Sequence, residues 1–134
     1  MVKMSKEIQD VINQQNPTPL ATANADGTPN VIFTGIKQIL DDETILFADN
    51  FFNKTLANLK ANPKISFVVY DSAAKKSYQI KGSVEILTSG NIYDNMVKMV
   101  HAKNAALPAK SAIIMHVEEI YNAMSGPGAG AKIA

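Results

Sequence analysis

The sequence contains neither cysteine nor arginine among its 134 residues. The absence of cysteine excludes disulfides, thiolate metal sites, iron–sulfur clusters and a cysteine nucleophile. The absence of arginine removes the bidentate guanidinium clamp on phosphate or carboxylate groups. Any anion that this protein binds must therefore be held by lysine ammonium groups, hydroxyls and backbone N–H groups.

A strong net charge and long apolar runs are missing as well. Thirteen basic and twelve acidic side chains give a formal charge of +1, which creates no global field to attract nucleic acid or an anionic membrane. No apolar run approaches the roughly 20 residues that span a bilayer, and residues 1–15 lack the apolar segment of a secretory signal. We therefore expect a cytoplasmic protein that binds neither nucleic acid nor membranes. Its length and its 46% of hydrophobic residues predict one domain over residues 1–134.

Three segments have the pattern of a helix. The first follows Ser5, a candidate N-cap, and stops at Asn16-Pro17. The second begins near Asn53 and stops at Asn62-Pro63, and the third follows a candidate cap at Ser89. Apolar residues recur at helical spacing in these segments, namely Ile8, Val11 and Ile12 in the first, Leu56 and Leu59 in the second, and Ile92, Met96, Met99 and Val100 in the third.

The remaining apolar segments predict six β-strands joined mostly by short turns. Asp26-Gly27 provides the residues that a hairpin needs at positive φ, and Gly82 lies where a long strand can bend. Turns this short favour antiparallel neighbours, which predicts a mainly β protein, a closed antiparallel barrel with peripheral helices. The six segments are "LATAN", "NVIFTGIKQIL", "TILFAD", "KISFVVYD", "KSYQIKGSVEIL" and "SAIIMHVEEIYNAM".

The residues Asn53, Lys54 and Thr55 at the start of the second helix suit an anion-binding site. The first N–H groups of a helix lack intrahelical partners, and the helix dipole adds partial positive charge there. Asn53 is a candidate cap, Lys54 supplies a full charge, and the Thr55 hydroxyl can donate to a phosphate oxygen. The alternative is an ordinary capped helix with a solvated lysine, and these three residues alone do not decide between the two.

The order of the elements around this helix resembles the pyridoxamine 5'-phosphate oxidase-like, FMN-binding split-barrel family. The resemblance runs from about residue 8 to residue 121, and its most specific piece is Lys54 and Thr55 followed by "ANPKISFVV". There a basic residue and a hydroxyl residue open a helix that ends in Asn-Pro before an apolar strand. The resemblance implies a six-stranded antiparallel split barrel of Greek-key type, an FMN cofactor, and a homodimer with the flavin at the subunit interface.

The same resemblance implies which residues bind the flavin. Ser77 stands where many relatives place a glutamine that reaches the phosphate, so its side chain is the shorter one. The nine implied positions are Asn53, Lys54 and Thr55 at the phosphate, Phe33, Thr34 and Gly35 along the isoalloxazine ring, Ala48 and Asp49 on the ribityl and phosphate side, and Ser77.

The departures from the family limit the reaction. True pyridoxamine phosphate oxidases use arginines on FMN and a C-terminal segment with arginine on the substrate phosphate. Because this chain has no arginine, we do not expect it to oxidise pyridoxamine phosphate. The resemblance implies instead a small flavin-dependent oxidoreductase that uses NADH or NADPH, or an electron carrier, and it identifies no catalytic residue. The alternatives are a flavin-binding module without turnover, or a relative that binds deazaflavin or haem.

The other conspicuous groups predict no separate site. Residues 124–134 are Gly-rich but lack the spacing of a phosphate loop, which predicts a flexible tail or, alternatively, a small anion nest near the flavin or the partner subunit. His101 and His116 are far apart in sequence and are expected to be surface or core groups, although a haem-binding relative would use one as an axial ligand. The acidic runs 41–43 and 118–119 are predicted to be solvated, and no metal site is predicted.

Overall fold

The computed structural model describes the whole chain, residues 1–134, with three helices and seven strands. None of the three helices has the length and the hydropathy that crossing a membrane requires. The elements in chain order are α1 (Lys6–Gln14), β1 (Thr18–Ala23), β2 (Pro29–Thr34), β3 (Lys37–Asp41), β4 (Thr44–Asp49), α2 (Lys54–Ala61), β5 (Lys64–Asp71), β6 (Lys76–Leu87), α3 (Asn91–Lys103) and β7 (Ser111–Asn122).

The seven strands form one sheet in the order β2-β1-β5-β6-β7-β4-β3. Every neighbouring pair is antiparallel. The two edge strands, β2 and β3, follow one another in the chain, and only residues 35–36 separate them. This arrangement confirms the prediction of a mainly β, antiparallel split barrel with peripheral helices. The closure expected from the short turns is not present, because β2 and β3 do not pair with one another.

The strand count is seven rather than the predicted six, because the segment "NVIFTGIKQIL" divides into two strands. Its first part, β2, pairs with β1, whereas its second part, β3, pairs with β4 at the other edge of the sheet. The chain turns at Gly35-Ile36, where the Ile36 carbonyl accepts a hydrogen bond from the Ala48 N–H at 3.1 Å. One apolar run thus serves two strands that are not neighbours, and apolar content alone does not reveal the division.

Gly82 allows β6 to pass close to β7. The pairing register of the two strands shifts between Lys81 and Gly82. A Cβ atom at Gly82 would lie 2.1 Å from the His116 carbonyl oxygen. The irregularity predicted at this glycine is therefore present, and close backbone approach is its physical cause.

The predicted caps and turn residues are correct in part. The Ser5 hydroxyl accepts a hydrogen bond from the Ile8 N–H at 3.3 Å, as an N-cap does. The predicted cap at Ser89 is wrong, because Gly90 precedes α3 and no side chain caps that helix. In the turn between β1 and β2 only Gly27 has a positive φ, of +92°. Asp26 was expected to have a positive φ as well, and it does not.

Two apolar clusters lie on opposite faces of the sheet. The larger fills the barrel beneath α1 and contains Phe47 and Phe67, whose rings meet edge to face at 5.5 Å. The smaller lies between α3 and the outer side of β4 and β7, and it includes Leu46 and Ala48. Because successive strand residues point to opposite faces, β4 is buried on both sides. The end of β4, Ala48 and Asp49, is therefore fixed inside the molecule.

The C-terminal segment packs against the barrel, which corrects the prediction of a flexible tail. Strand β4 pairs with β7 only as far as His116. Beyond that point the tail continues along the same strand, with hydrogen bonds of 2.9 Å from Asn122 N–H to the Ala131 carbonyl and from Ile120 N–H to the Ala134 carbonyl. The tail thus covers a length of β7 that β4 leaves without a partner.

Candidate functional site

A mostly apolar cleft of about 250 Å³ lies where the chain turns from β2 into β3, and we call it the ring cleft. Four of the predicted flavin-binding residues meet there, namely Phe33, Thr34, Gly35 and Ala48. The side chain of Phe33 is 71% exposed and that of Phe51, across the cleft, is 65% exposed. Exposed aromatic side chains of this kind are typical of surfaces that bind a flat apolar ligand. The complete lining is Ile32, Phe33, Thr34, Gly35, Ile36, Ala48, Asn50, Phe51, Phe52 and Leu107.

The backbone of the ring cleft is anchored at the β2–β3 corner and open at Gly35. The hydrogen bond between Ala48 and Ile36 ties the β2–β3 corner to the buried strand β4. A Cβ atom at Gly35 would meet no other atom within 4 Å. A planar group can therefore approach the backbone at Gly35 without meeting a side chain.

A second, polar cleft of about 300 Å³ lies at the other end of β2, beside the start of α2. Lys54 is its only charged residue and is exposed. None of the ion pairs in the molecule includes Lys54. An anion in this polar cleft would therefore meet an ammonium group that no carboxylate neutralises. The complete lining is Asn24, Thr28, Pro29, Asn30, Lys54, Ala57 and Asn58.

Buried hydroxyls hold the amide side chains of the polar cleft. Asn30 Nδ2 donates to Thr55 Oγ1 at 3.0 Å and to Thr22 Oγ1 at 3.3 Å. Asn58 Nδ2 donates to the same Thr22 oxygen at 3.1 Å. Thr55 is fully buried, and its hydroxyl oxygen accepts the hydrogen bond from Asn30. Thr55 thus fixes the position of Asn30, which itself lines the cleft.

The turn between β1 and β2 forms the rim of the polar cleft. Asn24 Oδ1 accepts hydrogen bonds from the backbone N–H groups of Asp26 and Thr28, at 3.1 and 3.0 Å. The Thr28 hydroxyl donates to Asp26 Oδ1 at 2.7 Å, and this hydrogen bond, followed by one from the Thr28 N–H, lowers the pKa of the Asp26 carboxyl group. The rim is consequently held by its own hydrogen bonds.

The start of α2 differs from the predicted capped helix. Asn53 has a positive φ of +48°, and its side chain makes no capping hydrogen bond. The expectation that Asn53 caps the helix is therefore wrong, because in this backbone conformation its side chain does not reach the first turn. The amide N–H groups at this end lack the side-chain acceptor that most helices provide.

Asp49 and Ser77 lie apart from the open space of both clefts. Asp49 is fully buried, and its carboxyl oxygens accept from Phe52 N–H at 3.0 Å and from the Ser111 hydroxyl at 2.8 Å. Ser77 is buried too, and its hydroxyl donates to the Val69 carbonyl at 2.8 Å. Ser77 pairs with Tyr70 at the end of β5 that is far from α2, so the chain does not bring it to Lys54.

Sequence reasoning missed several residues that line or support the two clefts. Asn30 and Ile32 alternate with the predicted Thr34 along β2, so the two-residue period of a strand places all three on one face. Asn58 follows Lys54 by one helical turn, and the spacing of four residues places the two side by side. Ser111 lies 62 residues from its partner Asp49, and no local pattern predicts that contact.

Both histidines contact other groups of the protein. His101 Nε2 lies 2.9 Å from the Leu107 carbonyl, and His116 Nε2 lies 3.1 Å from Glu85 Oε1. Neither histidine lines the ring cleft or the polar cleft. The structure contains no group of three or more acidic or histidine side chains placed to hold a metal ion.

The comparisons with known proteins identify the family. Residues 4–123 match the family model described as pyridoxamine 5'-phosphate oxidase. An uncharacterized protein of Methanocaldococcus jannaschii, MJ0282, is 38% identical over 117 residues, which are 86% of this chain and 78% of that protein. The crystal structure of HupZ from Group A Streptococcus superimposes with a TM-score of 0.80 at 31% identity, over 95% of this chain and 99% of HupZ. The chain belongs to the pyridoxamine 5'-phosphate oxidase family.

The solved structures of the same fold include proteins that are described with different cofactors. An FMN-binding protein from Syntrophomonas wolfei has a TM-score of 0.76 at 20% identity, over 87% of this chain and 82% of that protein. The other similar structures include one described as an F420 reductase and the haem storage protein HutZ from Vibrio cholerae. Because these identities are 21% and 13%, the likenesses establish the fold alone.

Proposed function

We propose that this protein binds FMN, with the isoalloxazine ring in the ring cleft and the phosphate in the polar cleft. The observation that carries the proposal is the placement of an apolar cleft and a lysine-bearing polar cleft at the two ends of the same strand, β2. The loop formed by residues 50–53 connects them. A ligand with a flat apolar ring at one end and a phosphate at the other matches the chemistry of the two clefts and their arrangement along β2.

The residues present fit such a ligand. Phe33 and Phe51 offer aromatic surface to a ring, and the backbone at Gly35 is open to its edge. Lys54 supplies positive charge to a phosphate, with Asn30 and Asn58 beside it. The ring cleft, of about 250 Å³, is smaller than typical ligand sites of about 300–1,000 Å³, and the polar cleft, of about 300 Å³, is at the lower end of that range. A mononucleotide would therefore have to span both.

A bound flavin would supply hydride or electron transfer, and the chain would supply binding and orientation. We propose an oxidoreductase that uses NADH or NADPH, or an electron carrier, and not a pyridoxamine phosphate oxidase. The chain has no arginine for a second, substrate phosphate. It is 23% identical to the pyridoxine/pyridoxamine 5'-phosphate oxidase of a Ruegeria strain and spans 65% of that enzyme's length.

Titration of the ligand-free protein with four ligands tests this proposal. We expect FMN to bind more tightly than riboflavin, deazaflavin F420 or haem, with a bound flavin spectrum and quenched flavin fluorescence. The physical reason is that Lys54 is the only charge in the polar cleft and that no histidine lines either cleft. Tighter binding of F420 or haem than of FMN would refute the assignment. Steady oxidation of NADH or NADPH by the FMN-loaded protein would identify an enzyme rather than a binding module.

We propose further that the flavin site is completed by a second copy of this chain. Exposed apolar side chains cover the outer face of β2 and β5, namely Val31, Phe33, Val68 and Tyr70. The register of β1 with both strands places them on one face, because Ala21 pairs with Val31 and with Ser66, two residues before Val68. This face begins at the ring cleft. A partner seated on it would deepen the cleft and cover the ring.

Val68→Glu tests the dimer, because Val68 lines neither cleft. A charge buried in an interface destabilises the complex, so we expect Val68→Glu to sediment as a monomer and to bind FMN at least tenfold more weakly than the dimeric parent. The matched control is Ile92→Glu, since Ile92 is equally exposed but belongs to α3. A monomeric parent protein that binds FMN would contradict this prediction.

A further inference from the structure

The loop formed by residues 50–53 lines the ring cleft and leads directly to the polar cleft. Asn50, Phe51 and Phe52 line the ring cleft, and Lys54, the next residue after the loop, lines the polar cleft. The loop belongs to neither a helix nor a strand. Its position must therefore be fixed by contacts with other parts of the molecule.

Those contacts come from residues 109–111, just before and at the start of β7. The Ser111 hydroxyl donates to Asp49 Oδ2 at 2.8 Å, while Asp49 Oδ1 accepts from the Phe52 N–H at 3.0 Å. The Ala109 N–H donates to Asn50 Oδ1 at 2.9 Å, and the Lys110 N–H donates to the Asp49 carbonyl at 2.8 Å. Asp49 and Ser111 are both buried.

We propose that Asp49 is a positioning residue, and that the Asp49–Ser111 hydrogen bond sets the geometry of both halves of the flavin site. The inference rests on the proposed function. One carboxyl oxygen holds the loop at Phe52 and the other is held by Ser111, so the carboxyl group connects the loop to β7. Without Ser111 the second oxygen would be buried with no donor, which is unfavourable inside a protein. The loop would then shift to let water reach it.

This role differs from direct contact with the ligand on its ribityl and phosphate side, the side on which the family resemblance places Asp49. A residue that touches the phosphate affects FMN and leaves riboflavin unchanged. A residue that positions the loop affects both ligands by a similar factor, because Phe51 and Phe52 lie at the ring and Lys54 lies at the phosphate.

Four variants test the proposal by titration with FMN and riboflavin. We expect Ser111→Ala and Asp49→Ala to weaken both ligands by about tenfold each. Asp49→Asn should restore binding to within about threefold of the parent, because an amide can accept from the Phe52 N–H and donate to the Ser111 oxygen. The matched control is Ser83→Ala, which removes a serine–carboxylate hydrogen bond to Glu118 of 3.1 Å remote from both clefts.

Hydrogen exchange of the ligand-free proteins separates this inference from the proposed function. Ser111→Ala should speed the exchange of the Phe52 and Ala109 amides at least tenfold, and Ser83→Ala should not. A parent that binds no flavin would refute the proposed function, whereas unchanged exchange of these amides would refute the positioning role. Equal damage by Asp49→Asn and Asp49→Ala would also overturn it, since the amide can make both hydrogen bonds. Loss of FMN affinity alone would overturn it too, since that result would assign Asp49 to direct contact.

Discussion

Replacing Lys54 with methionine is expected to lower FMN affinity by roughly ten- to a hundredfold and to leave the affinity for riboflavin almost unchanged. Lys54 is the only charged residue of the polar cleft and forms no ion pair. A charge-assisted contact of this kind contributes about 1.5–3 kcal/mol, and each 1.4 kcal/mol is about tenfold in affinity. Methionine keeps most of the apolar stem. Titration of the variant with both ligands measures the difference.

The matched control for Lys54 is Lys60→Met. Lys60 is exposed in the last turn of the same helix and lines neither cleft, so its loss removes the same charge from the protein without touching the site. Small and equal effects of Lys54→Met on FMN and riboflavin would mean that Lys54 is an ordinary solvated lysine. A fall in FMN affinity for Lys60→Met as large as that for Lys54→Met would indicate a general effect of net charge.

Gly82→Ala is expected to destabilise the fold by more than about 3 kcal/mol. The added Cβ would lie 2.1 Å from the His116 carbonyl oxygen and 3.0 Å from its carbon. Backbone atoms cannot move aside as the end of a flexible side chain can, so β6 and β7 must separate, and overpacking of this severity exceeds the usual 1–3 kcal/mol. Denaturant unfolding of the variant and the parent measures the loss.

Gly35→Ala provides the comparison, because a Cβ there meets no atom within 4 Å. Its unfolding free energy should stay within about 1 kcal/mol of the parent value. If Gly82→Ala unfolded at the parent's denaturant concentration, the close contact between β6 and β7 described here would be incorrect.

The sequence predicted the barrel well but missed how its edges are arranged. Alternating apolar residues and short turns correctly indicated an antiparallel barrel. They did not indicate that residues 29–41 make two strands, because the turn at Gly35-Ile36 depends on the pairing of β3 with β4. Which strands pair is a property of the tertiary structure. A continuous apolar segment can form one long strand or two shorter ones, so its sequence does not reveal the division.

The parts of the candidate site that are formed by residues close together in the sequence were predictable. Lys54 and the residues around Gly35 lie in local patterns, and the structure places them in the two clefts. Asp49 was also named, but its contact with Ser111 joins residues 62 positions apart. Whether its side chain faces a ligand or the interior depends on that contact, and no local pattern contains it.

The covering of β7 by the C-terminal tail has a consequence for handling the protein. With that edge paired, the open edges of the sheet are β2 and β3. Strand β2 carries the exposed Val31 and Phe33, and an unpaired strand with exposed apolar side chains is prone to pair with other chains. A copy that lacks the partner proposed for this face should therefore self-associate beside the ring cleft during concentration or storage. A ligand that fills this cleft would act as a solubility aid, so crystallisation trials and long-term stocks are best prepared with it present.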